Sequence, residues 1–369
     1  MESLRTIIKK LIPRRVLAWL AHLRHEHVHH VVSNTHDAAA FCVVGNSDQQ
    51  THLARIYLGA VSGYRVRRGV HWQNWSALAL EQARCHGLVA ASDVTIPATL
   101  EPVLLRLPKF VALSIKLPES VSELRQNLSL GARSDIRRIN RGGFQCEVHN
   151  NADWASEFYT RYHEKAITSR HGMEGYVLQA KKIANLVANE GWEFICVTRE
   201  GKRLAATLCD PLAEGYRLGR LGWLDGNPEL VKEGVLTATY WFSLLRACEL
   251  GKSYANFGAT PPYIEDGLFQ YKTKWGAELN RKDTVFGMQD VLLDPTHPQV
   301  RAMLAKRSII GLDKDDRFVV YSGRDPREVN IPRSIQQNIA RWYRPDPEGK
   351  PFAFTAVPEW PLQNQFSGN

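Results

Sequence analysis

The chain has 369 residues, 44% hydrophobic and 23% charged, which suits a globular protein of two ordinary domains rather than a disordered or fibrous one. Its formal net charge of +9 favours anionic partners, such as phosphates, nucleic acid or an acidic membrane surface, without choosing among them. Six cysteines are scattered with no Cys-x-x-Cys pair, which speaks against a zinc ribbon or redox motif and suits a reducing cytoplasm. No apolar run approaches the ~18 residues that span a bilayer.

Residues 1–32 are basic and amphipathic. Leu4, Ile7, Ile8 and Leu11 form one stripe with Arg5, Lys9 and Lys10 between them; Pro13 interrupts it, and Val16, Leu17, Leu20 and Leu23 resume it. Such a helix could lie on an anionic membrane face or dock on its own domain. The tract His22, His25, His27, His29, His30 lacks an acidic or cysteine ligand at fixed spacing, so it reads as a solvated helix end and no metal site is expected. From residue 33 to 110, short apolar strands (Ala39 to Val44, Leu88 to Ala91, Val103 to Leu107) alternate with helical patterns (Gln49 to Leu58, Ala77 to Ala83), the mark of an α/β or α+β layer.

Val111 to Leu117 is a strand stopped by Pro118. Ser120 with Glu123 three residues on has capping-box spacing for a helix that breaks near Gly131. A basic segment follows. Arg133, Arg137 and Arg141 are spaced to share a helix face, with Arg138 beside them, and they could meet the phosphates of a coenzyme, a nucleotide sugar or tRNA; a solvated basic face explains the same pattern. Phe144 to Val148 is a strand, and Ala152 to Ala166 and Gly175 to Asn189 are helices. Trp192 to Arg199 and Leu204 to Asp210 form a hairpin about Glu200-Gly201-Lys202, and Tyr216 to Leu224 continues the sheet.

Leu236, Tyr240, Leu244, Leu245 and Cys248 recur at helical spacing, and Gly251 closes that helix because glycine enters the left-handed C-cap region without strain. Tyr254 to Phe257 is a strand. Gly258 and Pro261-Pro262 then force a loop, followed by Lys272 and Lys274 among Phe269, Tyr271 and Trp275. Beyond residue 290 repeated prolines predict an extension, residues 291–369, that wraps the preceding domain, with short helices at Gln299 to Lys306 and Ile335 to Tyr343 and a poorly ordered tail after Pro345.

Two stretches carry a resemblance. Tyr254-Ala255-Asn256-Phe257-Gly258, Gly267-Leu268, Tyr271-Lys272 and Trp275-Gly276-Ala277, together with the basic helix within Leu124 to Val148, resemble the FemAB-like branch of the GNAT acyltransferase superfamily. The resemblance implies a mixed, mostly antiparallel sheet flanked by helices, in two GNAT-like halves in tandem, residues 33–110 and 111–290. It implies transfer of an acyl group from acyl-CoA to an amine or hydroxyl of a cell-envelope or polysaccharide precursor, in the cytoplasm or against the inner face of the membrane. An aminoacyl-tRNA donor acting on a peptidoglycan precursor, or a silent binding module for an anionic partner, are the alternatives.

Acyl transfer of this kind needs an activated donor, an oriented acceptor and stabilisation of the oxyanion. Lys272 stands where the resemblance puts a functional lysine, so electrostatic support of the tetrahedral intermediate is its expected role; a surface lysine flanked by rings is the plainer one. Asp225, Glu233 and Asp266 are candidate general bases, each equally a turn or cap residue, and Tyr263 is a candidate acid for the leaving group. Donor phosphates would fall to Arg133, Arg137, Arg138, Gly234 and Lys274. The usual Gly-rich coenzyme loop is absent from Asn227 to Leu236, which holds only Gly234, and this keeps aminoacyl-tRNA open as donor. No tightly bound cofactor is expected.

Overall fold

In the computed structural model the residues described are 29–33, 40–44, 63–67, 80, 84, 87–91, 103–171, 178–282, 288–358 and 360. The amphipathic stretch, the first three histidines of the tract and the helical patterns at Gln49 to Leu58 and Ala77 to Ala83 lie almost wholly outside them. His29 and His30 are described, and they belong to a strand rather than a helix end.

The chain divides into two compact units. The first comprises residues 1–109, 288–325 and 341–360, and the second residues 110–287, 326–340 and 361–369. In the first, ten described strands form one sheet in the order Phe354–Ala356, Ile339–Pro345, Phe318–Tyr321, Ile309–Leu312, Leu104–Pro108, Met288–Leu293, Leu88–Ala91, Ala40–Val44, His29–Ser33, Gly63–Arg67. This corrects the expected proline-broken extension: strands after Met288 complete this sheet, and Ile339–Pro345 is a strand where a helix was expected. Ile310 and Val320 pair across the ladder and are fully buried, so long-range packing decides these short segments.

The second unit follows the expected element order as far as Tyr254–Thr260, with the short helix Pro228–Glu233 added. Strand β1 is Val111–Lys116. Helix α1 (Val121–Asn127) starts at Ser120, whose hydroxyl accepts the Glu123 N–H, and α2 (Leu130–Arg141) starts at Ser129, whose hydroxyl accepts the Ala132 N–H. Then come β2 (Gln145–His149), α3 (Ala155–Glu157), a π-helical stretch Phe158–His163, α4 (Glu164–His171), α5 (Ala180–Glu190), β3 (Glu193–Arg199), β4 (Lys202–Asp210) and β5 (Gly215–Trp223). Helices α6 (Pro228–Glu233) and α7 (Val235–Glu249) lead to β6 (Tyr254–Thr260), α8 (Gly267–Thr273) and β7 (Glu278–Asn280). The seven strands lie in the order β7-β1-β6-β5-β4-β3-β2. All neighbours are antiparallel except β5 and β6, which run parallel because α7 crosses between them.

One face of this sheet packs on a cluster built from Trp154, Phe158, Tyr162, Ile183, Leu186, Phe194 and Leu208. The π-helical stretch comes so close that a β-carbon on Gly222 would stand 2.5 Å from the Tyr162 carbonyl carbon and 2.7 Å from the His163 nitrogen. Gly222→Ala is therefore expected to lower stability by about 1–3 kcal/mol, measured by urea unfolding, since backbone on both sides must move. His163 is locked here: its Nδ1–H donates to the Leu221 carbonyl at 3.0 Å and its Nε2 accepts the Leu178 N–H at 3.4 Å. Burial pushes its pKa below the ordinary value, so it stays a neutral structural group.

The other face carries α7, and polar groups are buried beneath it. Glu193 accepts hydrogen bonds from the Tyr216 hydroxyl at 2.8 Å and from Arg246 Nε and Nη2 at 3.0 and 3.1 Å. This forked pair ties the helix to β3 and β5.

Candidate active site

The parallel pairing of β5 and β6 covers three residues: Gly215 with Tyr254, Tyr216 with Ala255, and Arg217 with Asn256. Both strands then continue, β5 to Trp223 and β6 to Thr260, without pairing to each other. Each also breaks register with its outer neighbour at that level, β5 between Leu218 and Arg220 and β6 between Asn256 and Ala259. With both strands bulged, β5 and β6 are left unpaired to each other towards their carboxyl ends, the place where parallel strands of open sheets commonly receive ligands.

Local chemistry holds the β6 bulge. Gly258 has φ +73, in the region that favours glycine, and its N–H donates to the Asn256 side-chain oxygen at 2.6 Å. The carbonyls turned out by the bulge are met by Lys272, whose Nζ donates to Gly258 O at 3.2 Å and Ala259 O at 2.8 Å. Lys272 is only 3% exposed, and burial lowers its pKa to about 7. As a neutral amine it has both N–H groups committed to carbonyls and a lone pair to spare; as an ammonium it has one N–H over.

A second group gathers around the start of α7. Gly234, with φ +104, ends α6 and begins α7, and no side chain caps the new helix. Its first-turn amide groups are thus left to an outside acceptor. Arg138 reaches over this point: its Nη2 is 3.1 Å from where a β-carbon on Gly234 would stand. The Tyr271 hydroxyl donates to Thr237 Oγ1 at 3.3 Å, and burial pushes its pKa up to about 12, so it remains a donor. Lys274 lies 5.4 Å above the Tyr271 ring and pairs with Asp135. Tyr240 meets Phe257 and Tyr271 edge-on, at 5.3 and 5.2 Å, and so joins α7, β6 and α8.

Three expected donor-binding residues, Arg138, Gly234 and Lys274, are therefore together. Arg133 and Arg137 are not with them. Ala132, Ile136 and Ile139 are the buried face of α2, and at 100° per residue Arg138 and Asp135 fall on one flank while Arg133, Arg137 and Arg141 fall on the other. The candidate bases are also engaged elsewhere. Asp225 accepts from Arg161 Nη2 at 2.8 Å, and that hydrogen bond holds its carboxyl below the ordinary carboxylate range. Glu233 pairs with Arg199 at 2.7 Å, and Asp266 caps α8 by accepting the Leu268 and Phe269 N–H groups. Tyr263 is buried in the turn between β6 and α8, where its N–H donates to Pro261 O at 2.9 Å.

Sequence reasoning missed α8 and, with it, the contact of Tyr271 with α7. The signal was present in Asp266-Gly-Leu-Phe, an Asx cap before an apolar pair. Among the described residues no group of three His, Cys, Asp or Glu side chains could hold a metal ion, and no helix is long and apolar enough to cross a membrane.

No protein-family model matches the chain, and no curated protein matches it. Among solved structures it is similar to FemX, at 12% identity over 72% of this chain and 84% of that one, with a TM-score of 0.39. It is similar to L-PGS from Bacillus licheniformis, at 12% identity over 64% and 78%, with a TM-score of 0.36. It is also similar to a conserved protein of unknown function from Enterococcus faecalis described as a probable N-acyltransferase, at 10% identity over 85% and 79%, with a TM-score of 0.29.

Proposed function

We propose that the second unit is an acyltransferase that moves an acyl group from acyl-CoA to an amine or hydroxyl of a cell-envelope or polysaccharide precursor. The observation that carries this reading is the loss of pairing between β5 and β6 beside an uncapped 15-residue helix with Arg138 over its first turn. An extended thioester arm fits between unpaired strands, where the exposed edges of both backbones can hydrogen-bond to it. The donor's diphosphate fits at the start of α7, met by first-turn amides and the Arg138 guanidinium. At the other end of the arm, the remaining N–H of a protonated Lys272 supports the oxyanion of the tetrahedral intermediate. The acceptor class rests on the motif resemblance.

The chemistry is addition of the acceptor nitrogen or oxygen to the thioester carbonyl, followed by loss of the thiolate and proton transfer to it. Tyr271 keeps its proton and spends it on Thr237 Oγ1, so it positions the start of α7 and is not assigned a proton-transfer role. The carboxylates of Asp225 and Glu233 are occupied by Arg161 and Arg199, so we assign neither as the base.

Aminoacyl-tRNA is the second reading, favoured by the short helix α6 where a Gly-rich loop would otherwise stand. Thermal-shift measurements with acetyl-CoA, a long-chain acyl-CoA and charged tRNA separate the two. Stabilisation by an acyl-CoA is expected; stabilisation by charged tRNA alone would transfer the proposal to the second reading, and by neither would leave a binding module. Arg138→Ala is expected to weaken acyl-CoA binding by about tenfold, measured calorimetrically, as loss of one charge-assisted contact does.

A further inference from the structure

The solvent face of α2 does not belong to the site just described. Leu130, Arg133, Arg137 and Arg141 follow one another along the flank opposite Asp135 and Arg138. Arg137 and Arg141 are exposed and Arg133 is half-buried. None of the three has an ion-pair partner among the described residues, and the buried Arg133 Nε has no acceptor. Asp135, the one acid on this helix, is turned away and taken by Lys274. At the head of the row stands Leu130, 77% exposed, at the first position after the Ser129 cap.

We infer that this face of α2 docks on an anionic phospholipid bilayer. Three cations without counter-charges among the described residues make a surface that complements a plane of lipid phosphates, and each contributes attraction that persists over about a Debye length. Leu130 beside them is exposed among the described residues; at a bilayer it enters the boundary between headgroups and acyl chains while the arginines stay with the phosphates. A groove for single-stranded nucleic acid would call for aromatic side chains among the cations, and the row from Leu130 to Arg141 has none. This inference is independent of the acyltransferase reading, because it uses none of the groups at the unpaired ends of β5 and β6.

The test is co-sedimentation of the full chain with vesicles of phosphatidylcholine alone and of phosphatidylcholine mixed with phosphatidylglycerol. Binding to the mixed vesicles, its loss at high salt and no binding to pure phosphatidylcholine are expected. Arg137→Gln combined with Arg141→Gln should weaken binding by about 25-fold, fivefold for each charge. The emission of Leu130→Trp less that of the parent, which has ten tryptophans of its own, should show a blue shift on adding mixed vesicles. The melting temperature of both variants reports on folding, since all three side chains are exposed. If the double variant binds vesicles as the parent does, the amphipathic stretch at 1–32 or another surface holds the membrane and the inference is wrong. It is equally wrong if the double substitution removes tRNA binding and leaves vesicle binding intact, or if Leu130→Trp emits as in water with vesicles present.

Discussion

Lys272→Met is expected to lower acyl transfer by about 100-fold while changing the KM for the donor little, because it removes charge stabilisation that matters in the transition state. The same substitution should change the pH dependence of stability. Burial holds the folded amine at about 7 against an ordinary value of 10.5. Between those limits the unfolded chain keeps a proton that the folded chain has released, so stability rises with pH by about 1.4 kcal/mol per unit from this group. Below the folded value both states are protonated and the penalty for burying the charge is fully present. The methionine variant lacks this slope, so the stability of the parent relative to the variant should grow through the window above pH 7. Urea unfolding at several pH values measures it. A constant difference would mean that the amine is not desolvated; an unchanged turnover would remove Lys272 from the chemistry and leave it as the clasp of the bulge.

Arg246→Met is expected to destabilise the second unit by about 3 kcal/mol near neutral pH, measured by denaturant unfolding. Its guanidinium makes two bonds to Glu193, whose side chain is 8% exposed, and removing it leaves a buried carboxylate with only the Tyr216 hydroxyl. Glu193→Gln on the same background should recover much of the loss, since the uncompensated charge is gone. Failure of the second change to recover stability would show that Arg246 acts through its aliphatic packing.

The parts of the fold that were legible in the sequence are those decided locally. The hairpin about Glu200-Gly201 has both residues at positive φ, as its tight turn demands, and Gly251 at φ +63 closes α7 as its position implied. The Ser120 cap and the helical face of α2 likewise follow from spacing over a few residues. The C-terminal strands were hidden because Ile309–Leu312 and Phe318–Tyr321 are buried at every position and show no period-2 alternation. Their place in a sheet begun more than 200 residues earlier is a tertiary matter.

The site was legible in its residue types and opaque in its grouping. Lys272, Arg138, Gly234 and Lys274 all stand near the start of α7 or the β6 bulge, yet nothing in the spacing separates Arg138 from Arg137, adjacent in sequence and on opposite flanks of α2. The partners of Asp225 and Glu233, Arg161 and Arg199, lie 64 and 34 residues earlier in the chain, so two carboxylates that look available in the sequence are engaged in the fold. Gly258 announces a bend but cannot announce that β5 bends at the same level. That coincidence of two bulges ends the pairing of β5 with β6.

Photo-crosslinking tests this site most directly. An acyl-CoA with a diazirine in its acyl chain, irradiated on the protein and followed by peptide mass spectrometry, should label peptides from β5 beyond Leu218, from β6 beyond Asn256 or from α8 around Lys272, with protection by unlabelled acyl-CoA. Labelling confined to peptides outside these segments, or undiminished by competitor, would contradict the account.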